Sequence, residues 1–457
     1  MDWTPTIGDR SGPLYLRIVA ALADDIAAGK LHHGQALPTH RTLATTLGID
    51  LTTVTRAYTE ARRQGLTEAF VGRGTFVKAG AAIARQVVSP GIDLSMNIPP
   101  QPAAADLGGR LAKAIGEFRA TGRLESQLNY QQPGGTRSER GIAAEWLQPL
   151  VPHVTAERLV IAPGTQSVLL VFLLLHAVQS RRVLTEALTY PGLKAAAGSL
   201  GVEPIGVEMD AQGIVPQALE RACDAHPEVR IAYLMPTMHN PSTITLPLKR
   251  RQKIARIIAE RGLLLIEDDP YAFLTQGITP ITTMIPERSY LAASLSKSIT
   301  PGLRASLVVA PSEEHAAQLT NGLRASLQMS VPLALAVVVR WLREGTADAI
   351  IKAVCAEAAA RQEIAAQVLR GHAYAADRNG HHLWLTLPST LPRASFAAHL
   401  HRRGLGVVTA DAFATTEAPA NAIRIALGAA PNRATLAKGL EILRHSLHEG
   451  DIEAHVV

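Results

Sequence analysis

The sequence predicts two unequal parts: a small domain of three helices and a β-hairpin, then a large α/β domain with a mostly parallel sheet and a smaller α+β lobe. Three observations predict this fold class. The 457 residues are too many for one ordinary domain. Near the N-terminus, apolar residues recur every four positions, as on one face of a helix. From about residue 91 onward, short apolar runs alternate with helical stretches, as in buried parallel strands connected by helices.

The composition allows a large packed core and excludes several classes of protein. Hydrophobic residues make up 47% of the chain, which excludes wholesale disorder. Aromatic residues make up only 4%, which argues against a carbohydrate or single-stranded nucleic-acid surface built from stacked rings. Lys and Arg number 45 against 39 Asp and Glu, and the resulting charge of +6 permits a polyanionic partner without requiring one.

Neither a disulfide framework nor a metal site is predicted. The two cysteines, Cys223 and Cys355, are too few for a disulfide scaffold or a Cys-rich zinc site, so a reducing interior fits best. Two pairs of histidines lack the partners of a metal site and are interpreted as ordinary polar residues. They are His32, His33, His381 and His382.

No targeting or membrane-spanning segment is predicted. The first residues lack the basic and then apolar pattern of a signal peptide. The longest apolar run, residues 168–175, is far shorter than the ~20 residues that cross a bilayer, and it is interpreted as a buried helix. A cytoplasmic protein without a membrane partner is therefore expected.

The first part, residues 1–78, begins with two helix signals. The four-residue apolar repeat predicts a first helix over residues 14–26. Thr39 follows a Leu-Pro pair and is expected to cap a second, short helix over residues 40–47, because its hydroxyl can accept from a free N–H of the first turn.

A third helix and a hairpin complete this part. Thr52 or Thr53 is expected to cap the third helix. Two apolar strands over residues 66–71 and 75–77 flank a Gly-Arg-Gly turn. Three small helices followed by a hairpin give the element order of a winged helix-turn-helix.

The order of the motifs in this part resembles the GntR-type winged helix of bacterial repressors. The resemblance rests on Leu-Pro-Thr-His-Arg at 37–41, Leu-Gly-Ile at 47–49, Thr-Thr-Val-Thr-Arg-Ala-Tyr at 52–58 and Gly-Arg-Gly-Thr-Phe-Val at 72–77. It covers nearly all of residues 14–78 and implies a domain that binds double-stranded DNA. The residues alone leave open a small helical domain that holds another protein.

Polar and basic residues of the third helix and the wing are the candidates for DNA contact. Hydroxyls and N–H groups at a helix N-terminus can meet phosphates, and arginines can contact phosphates or bases. The candidates are Arg41, Thr52, Thr53, Thr55, Arg56, Arg73 and Gly74. Leu51 departs from the family, which often has Arg there, so base choice at this position must differ, with apolar contact to a thymine methyl as one possibility.

The second part begins after a predicted linker at residues 79–90. It covers residues 91–457, and its smaller lobe is expected from about residue 320. Five short apolar runs are predicted to be strands buried on both faces of the sheet. They are residues 159–161, 183–184, 231–234, 263–266 and 305–309.

Four motifs in this part stand at strand ends or just before a helix. They are Pro-Gly-Thr-Gln at 163–166, His-Asn-Pro at 239–241, Glu-Asp-Asp-Pro-Tyr at 267–271 and Ser-Leu-Ser-Lys at 294–297. Their order resembles the fold type I, class I and II aminotransferases, which bind pyridoxal 5'-phosphate (PLP). The resemblance spans most of the second part and implies an α/β PLP-dependent transferase fold.

The resemblance assigns the reactive end of the cofactor to four residues. Lys297 forms the Schiff base with the PLP aldehyde, which needs an amine of lowered pKa. Asp268 lies beside the pyridine nitrogen, and Tyr271 and Asn240 hydrogen-bond the phenolic oxygen. Either neighbour of Asp268 replaces it if the register is shifted by one residue; these neighbours are Glu267 and Asp269.

The resemblance assigns a second group of residues to the phosphate and the ring faces of PLP. Gly164, Thr165 and Gln166 offer N–H groups at a helix N-terminus, Ser294 and Ser296 add hydroxyls, and Arg304 adds a guanidinium fork. By resemblance, Tyr190 stacks on the ring, and Tyr130 reaches the phosphate of the partner subunit, so that a homodimer completes the site. Simple packing is the alternative for both tyrosines.

Arg424, in an apolar run at 422–427, matches the arginine that binds an amino acid's α-carboxylate. The alternative for this residue is an ordinary ion pair. The stretch Asp-Leu-Ser-Met-Asn at 93–97 matches the N-terminal segment near the substrate pocket, without a role for any single residue.

The whole chain resembles the MocR subgroup of GntR regulators, in which a winged helix precedes an aminotransferase-like domain. This implies a bacterial, PLP-dependent transcriptional regulator that senses PLP or a small amine or amino acid through aldimine chemistry at Lys297. The alternatives are a true aminotransferase with a DNA-binding appendage and a binding module with PLP as a structural component. Whether transamination turns over, and which effector is sensed, stay open.

Overall fold

The structure is a computed structural model that describes residues 3–6, 13–27, 30–31, 34–63, 66–70, 74–77, 91–177, 180–275, 277–417 and 419–455. The chain divides into two compact units, Met1–Ser89 and Pro90–Val457. The predicted linker, the tip of the wing with Arg73, and His32 and His33 lie outside the described residues.

The first unit has the predicted order of three helices and a hairpin. Its helices and strands are α1 (Leu14–Ala27), α2 (His40–Leu47), α3 (Leu51–Arg63), β1 (Thr67–Phe70) and β2 (Gly74–Val77). The two strands pair antiparallel, with Thr67 opposite Val77. The buried apolar side chains of the helices and strands form one cluster, which fixes how the three helices pack.

The starts of two helices in this unit differ in how well they were predicted. Thr39 caps α2 as predicted, since its hydroxyl accepts from the N–H of Thr42 at 3.2 Å. The cap predicted for α3 is wrong, because this helix begins at Leu51, before either threonine. Asp50 takes the cap position, and its Oδ1 accepts from the N–H of Thr52 at 2.7 Å.

The second unit alternates strands and helices over most of its length. Its strands are β3 (Ile92–Asp93), β4 (Leu159–Ala162), β5 (Arg182–Glu186), β6 (Glu203–Val207), β7 (Met209–Asp210), β8 (Gly213–Ile214), β9 (Ile231–Leu234), β10 (Leu264–Asp268), β11 (Ser289–Ser294), β12 (Ser306–Val309), β13 (Tyr374–Ala376), β14 (His382–Thr386), β15 (Leu405–Gly406), β16 (Val408–Thr409) and β17 (Ala422–Ala426). Its helices are α4 (Leu107–Ala120), α5 (Arg137–Leu147), α6 (Thr165–His176), α7 (Pro191–Leu200), α8 (Pro216–Ala225), α9 (Leu248–Glu260), α10 (Glu313–Leu327), α11 (Pro332–Arg343), α12 (Thr346–Val368), α13 (Arg393–Arg402) and α14 (Arg433–His455).

Seven strands form the main sheet in the order β4-β12-β11-β10-β9-β5-β6. Only β12 runs against the others, because it pairs antiparallel with both β11 and β4. Every predicted apolar run overlaps one of these strands, with Leu263 and Ala305 just outside β10 and β12, and most residues of the central strands are buried. The carboxyl ends of the parallel strands therefore meet at one edge, where ligands bind in open α/β sheets.

A second sheet, in the order β13-β14-β17-β16, belongs to the smaller lobe. The lobe's own cluster of buried side chains includes Ile92 and Leu94 and then resumes at Ala365. The predicted start near residue 320 falls in α10, which packs in the large cluster instead because Leu319 and Leu323 lie there. Helix α12 contributes buried side chains to both clusters.

The segment that opens the second unit is attached to the smaller lobe. Strand β3 pairs parallel with β15, and the carbonyl of Leu94 accepts from the N–H of Ala426 at 2.8 Å. Within the described ranges, no helix is both long and apolar enough to cross a membrane.

Candidate functional site

Most of the predicted site residues of the second unit gather at the carboxyl edge of the main sheet. Asp268 ends β10, and Ser294 ends the neighbouring β11. Lys297 lies three residues after Ser294, in a turn that directly follows the strand. Adjacent parallel strands thus place a carboxylate and an amine side by side.

The Lys297 ammonium lies in surroundings that disfavour its charge. Burial lowers its pKa to about 8, and the nearby Arg424 guanidinium adds to the shift, while Asp268 opposes it. Its Nζ donates to the main-chain oxygen of Asn97. A lysine with such a pKa has a substantial fraction of free amine near neutral pH, as a nucleophilic lysine requires.

Asp268 has one oxygen paired and one oxygen free. Its Oδ2 accepts from the Tyr233 hydroxyl at 2.8 Å, whereas its Oδ1 is buried without a hydrogen-bond partner in the described structure. Burial raises the pKa of this carboxyl to about 7. A buried acceptor without a donor is unfavourable, so this oxygen suits a ligand that brings an N–H.

The carboxylates on either side of Asp268 have partners of their own. Glu267 accepts from Thr282 N–H and hydroxyl, each at 2.7 Å, and lies 3.5 Å from the buried Arg251 guanidinium. Asp269 accepts from the Thr237 hydroxyl at 2.6 Å. Because both neighbours are engaged in the protein interior, the geometry favours the register with Asp268 at the cofactor.

Tyr271 and Asn240 lie at the same edge, each held by one strong contact. The Tyr271 hydroxyl accepts from Asn97 Nδ2 at 2.7 Å, and burial raises its pKa above the ordinary value. Asn240 Oδ1 accepts from Arg424 Nη1 at 2.8 Å. Asn240 precedes a cis proline, Pro241.

Arg424 is buried and packed on an aromatic ring. Its guanidinium carbon lies 4.9 Å from the ring centre of Phe413, and its Nη2 donates to the Ser95 carbonyl. No ion pair joins it to a carboxylate of a described residue, and its Nε is buried without a partner among them. Burial lowers its pKa to about 10. A buried cation without an anion is a site for one.

The residues predicted to bind the phosphate converge on the start of α6. Gly164 stands before the helix with φ +86°, and a Cβ atom there would lie 2.6 Å from Arg304 Nη2. Thr165 is 3.2 Å from the Ser306 hydroxyl, and Gln166 donates to the Gly192 carbonyl at 2.8 Å. The missing side chain at Gly164 is what lets the guanidinium lie against the helix N-terminus.

The two serines near Lys297 are buried beside it. Ser294 Oγ accepts from the N–H of Ser296 at 3.2 Å, and each residue is at most 9% exposed. Ser294 ends β11 and Ser296 lies in the turn that follows, on the same edge of the sheet as Asp268. They can add donors to an anion held there.

The two predicted tyrosines occupy different environments. Tyr190, at the start of α7, is half-buried, and its hydroxyl pKa is raised by burial and by Asp268. It therefore lies near Asp268, Arg304 and Arg424. Tyr130 is 81% exposed on the surface of the chain, as is its neighbour Leu128 at 73%. A single chain does not bring Tyr130 into its own site.

The candidate DNA residues of the first unit lie mostly on the surface. Exposed side chains among them are Arg41, Thr52, Thr55 and Arg56, while Thr53 is half-buried. Thr52 donates to Asp50, and Thr55 donates to the Leu51 carbonyl at 2.9 Å. Gly74 starts β2 with φ +104°, which favours glycine there. Leu51 is 41% exposed at the start of α3.

Two residues that contact the predicted ones were assigned no role from the sequence, Asn97 and Tyr233. His381 and His382 were interpreted as ordinary polar residues. Both are buried; His381 contacts the Lys297 carbonyl at 2.6 Å, and His382 lies beside Asn97. Of these residues, only Asn97 belongs to a motif that the sequence placed near the substrate pocket, the stretch at 93–97. No cluster of metal-ligating side chains is present in the part of the chain that the structure describes.

Comparisons with known proteins agree with this architecture. Residues 89–443 match the family model of aminotransferase class I and II, and residues 14–77 match that of the bacterial regulatory proteins of the gntR family. An HTH-type transcriptional regulator of Bacillus subtilis (strain 168), YdeF, is 27% identical over 98% of this chain and 97% of its own.

Other relatives cover smaller shares. The HTH-type pyridoxine biosynthesis transcriptional regulator PdxR of Corynebacterium glutamicum is 26% identical over 63% of this chain and 64% of its own. The structure of LysN, an α-aminoadipate aminotransferase of Thermus thermophilus, superposes with a TM-score of 0.70 at 24% identity, over 79% of this chain and 93% of that one. This likeness shows the fold.

The matches divide the chain as the sequence motifs do. The first unit carries the helix-turn-helix region of GntR regulators, and the second has the fold type I architecture with its seven-stranded, mostly parallel sheet. The chain therefore belongs to the aminotransferase class I and II family and, with a gntR-family DNA-binding region ahead of that domain, to the MocR type of transcriptional regulator.

Proposed function

We propose that this transcriptional regulator binds PLP at Lys297 and that an amine at this site changes how the protein binds its operator. One observation carries the proposal: a buried lysine of lowered pKa lies beside a carboxylate whose buried Oδ1 lacks a donor among the described residues. Both features disfavour a ligand-free site and suit a cofactor with an aldehyde and a protonated ring nitrogen.

The residues present fit PLP at each of its ends. PLP supplies an aldehyde that condenses with an amine and a ring that takes up electron density. Asp268 would hold the ring nitrogen through its free oxygen, and Tyr271 with Asn240 would hold the phenolic oxygen. Tyr190 would cover one face of the ring.

The phosphate end has donors and positive charge, and no carboxylate of a described residue is paired with Arg304. The space at Gly164 brings the Arg304 guanidinium to the N-terminus of α6, where free N–H groups favour an anion. Thr165, Gln166, Ser294 and Ser296 would complete the cradle. Tyr130 would reach the phosphate from the partner subunit of a homodimer, which accounts for its exposure in a single chain.

The effector is PLP itself or a small amine, with an amino acid favoured by Arg424. This guanidinium is buried against Phe413 without a carboxylate partner in the described structure, and it lies close enough to Lys297 to lower the pKa of that amine. It would bind the effector's carboxylate while the lysine exchanges with the effector's amine.

The test is operator binding by the full-length protein at one stated salt concentration, with and without PLP. We expect Lys297→Ala to lose the visible absorbance of the bound cofactor and the response of DNA binding to PLP, and to keep DNA binding itself. Thr52→Ala with Arg41→Ala should weaken operator binding and leave the absorbance intact.

Three outcomes would decide against the proposal. A visible band retained by Lys297→Ala would contradict the attachment site. An unchanged DNA response in that variant would mean that PLP is a structural component. Steady keto-acid production from an amino donor and acceptor, without specific DNA binding, would favour an aminotransferase.

A further inference from the structure

We infer that Asn97 is a positioning residue that ties the state of Lys297 to the smaller lobe, so that a change at the lysine moves the segment 92–97 and the lobe attached to it. The inference rests on the proposed function, because it concerns regulation at the same site. It begins from three contacts made by one small side chain and its carbonyl.

Asn97 contacts both the reactive lysine and the tyrosine beside it. Its main-chain oxygen accepts from Lys297 Nζ, and its Nδ2 donates to the Tyr271 hydroxyl at 2.7 Å. The same Nδ2 lies 3.2 Å from Nδ1 of His382. An amide carries two N–H donors, so both side-chain contacts can be made at once. The side chain is only 5% exposed.

These contacts fix the protonation of the two partners. For Nδ1 of His382 to accept, the ring must be neutral, and burial holds its pKa well below the ordinary value. The Tyr271 oxygen accepts from the amide, so its own proton is free to be donated toward a ligand. A hydroxyl that accepts one hydrogen bond becomes a better donor in another.

The segment that carries Asn97 is attached to the smaller lobe, whereas Lys297 and Tyr271 follow strands of the main sheet. Strand β3 pairs with β15, the Leu94 carbonyl accepts from Ala426 N–H at 2.8 Å, and the Ser95 carbonyl accepts from Arg424. The contacts of Asn97 with Lys297 and Tyr271 are therefore hydrogen bonds between the two lobes.

These bonds depend on whether the lysine is free. Lys297 donates to the Asn97 carbonyl while its amine carries hydrogens to give, and a covalent partner at Nζ takes that donor away. A buried carbonyl left without a donor is unfavourable, so the present position of the segment is favoured by a free lysine. Loss of the donor shifts the balance toward a displaced segment and, with it, a displaced lobe.

Several other charged or titratable groups lie around the lysine. They are Asp268, Arg304, Arg424, Tyr271, His381 and His382. Removing the Asn97 amide adds or removes no charge, and it takes a hydrogen bond only from Tyr271 and His382. A change in titration can therefore be assigned to the lost hydrogen bonds.

The experiment titrates the visible absorbance of the PLP-loaded, full-length protein against pH in the Asn97→Ala variant. The Tyr271 hydroxyl, oriented by the amide, stabilises negative charge on the cofactor's phenolic oxygen, and so favours the deprotonated chromophore. We expect the titration midpoint to rise by about one pH unit, a tenfold change in the proton equilibrium. The ratio of operator affinities with and without PLP should fall several-fold toward one.

Two further variants make the test decisive. Gln101→Ala is the matched control, because this amide on the same stretch donates only to main-chain carbonyls, and it should behave as wild type. Asn97→Leu keeps about the size of the side chain and loses the donors without adding a charge. It should also raise the midpoint, and it serves as the test if the alanine variant does not fold.

The inference is overturned if both Asn97 variants titrate and respond to PLP as wild type while Lys297→Ala abolishes the band. A band that survives in Lys297→Ala would instead overturn the proposed function, on which the inference depends. The two failures are therefore distinguishable in one set of spectra.

Discussion

Asp268 lies where its charge is unfavourable until a ligand arrives. Burial raises its pKa from the ordinary 3.8 to about 7. The folded state therefore binds this proton more tightly than the unfolded state does. The stability that the proton contributes decreases as the pH rises from about 4 through 7.

Without this carboxyl, the cofactor-free protein should no longer lose stability as the pH rises from about 4 through 7. In Asp268→Asn, the free energy of unfolding relative to wild type should increase between pH 5 and pH 8 by at most about 3 kcal/mol. Urea unfolding at the two pH values measures it. Asp210→Asn is the control, because Arg250 lowers the pKa of that exposed carboxyl, so its effect should be similar at both. If Asp268→Asn differs from wild type in its free energy of unfolding by the same amount at both pH values, burial does not raise the pKa of Asp268.

Residue by residue, the site was predictable where a motif carried the chemistry. Lys297 was identified by the serines that flank it, and Asp268 by its position at the end of an apolar strand. Tyr233 was not, because a tyrosine inside an apolar strand has the same sequence signal whether its hydroxyl is free or donates to a carboxylate. His382 gave no signal either, since its neighbour Asn97 lies at the other end of the domain in sequence.

Among the secondary-structure elements, the start of α3 shows how a cap decides a boundary. Asp50 accepts from the N–H of Thr52 and also from its hydroxyl, so the carboxylate holds the first turn and orients a candidate DNA contact. Hydrogen bonds from Thr52 also lower the pKa of this carboxyl. The prediction considered only Thr52 and Thr53, although Asp50 is an equally suitable cap residue close by, and local composition does not choose among the three.

We expect Asp50→Ala to loosen the first turn of α3 in the full-length protein. Amide hydrogen exchange of residues 51–63 should become several-fold faster, because the N–H of Thr52 loses its acceptor. Thr46→Ala is a matched control, since that hydroxyl bonds only back to the Thr42 carbonyl within α2. The visible absorbance of bound PLP should be unchanged in both. Unaltered exchange in Asp50→Ala would mean that another group caps the helix.

For the molecule as a whole, the site is expected to need two chains. We expect Lys297→Ala and Tyr130→Ala each to impair PLP binding in the homodimer that it forms alone. Mixing and reassembling them in equal amounts should give heterodimers in which one subunit keeps its lysine and receives the partner's intact tyrosine. About a quarter of all sites are then complete, and cofactor absorbance should recover to that extent. If the cofactor absorbance of the mixture does not exceed that of the two variants measured separately, Tyr130 does not contribute to the site of the partner subunit.

The overall architecture was predicted well and its internal division less well. Apolar strand runs and helical repeats identify a buried sheet, because burial on both faces leaves a clear pattern. The lobe division has no such pattern: α10 and α11 are amphipathic helices like any other, and only packing assigns them to the large cluster. The sequence also gave no sign that Ile92 and Leu94 belong to the core of the smaller lobe, which is otherwise built from the C-terminal part of the chain.

The pairing of β3 with β15 has a consequence for how the chain is synthesised. The first strand of the second unit hydrogen-bonds with one that emerges from the ribosome almost a whole domain later. The N-terminal unit, whose strands and helices are all neighbours in sequence, can fold while translation continues. The strand beside the linker must wait, unpaired, until the smaller lobe has been made. Premature termination within that lobe would thus leave a folded DNA-binding unit joined to an incomplete sensor with an open edge.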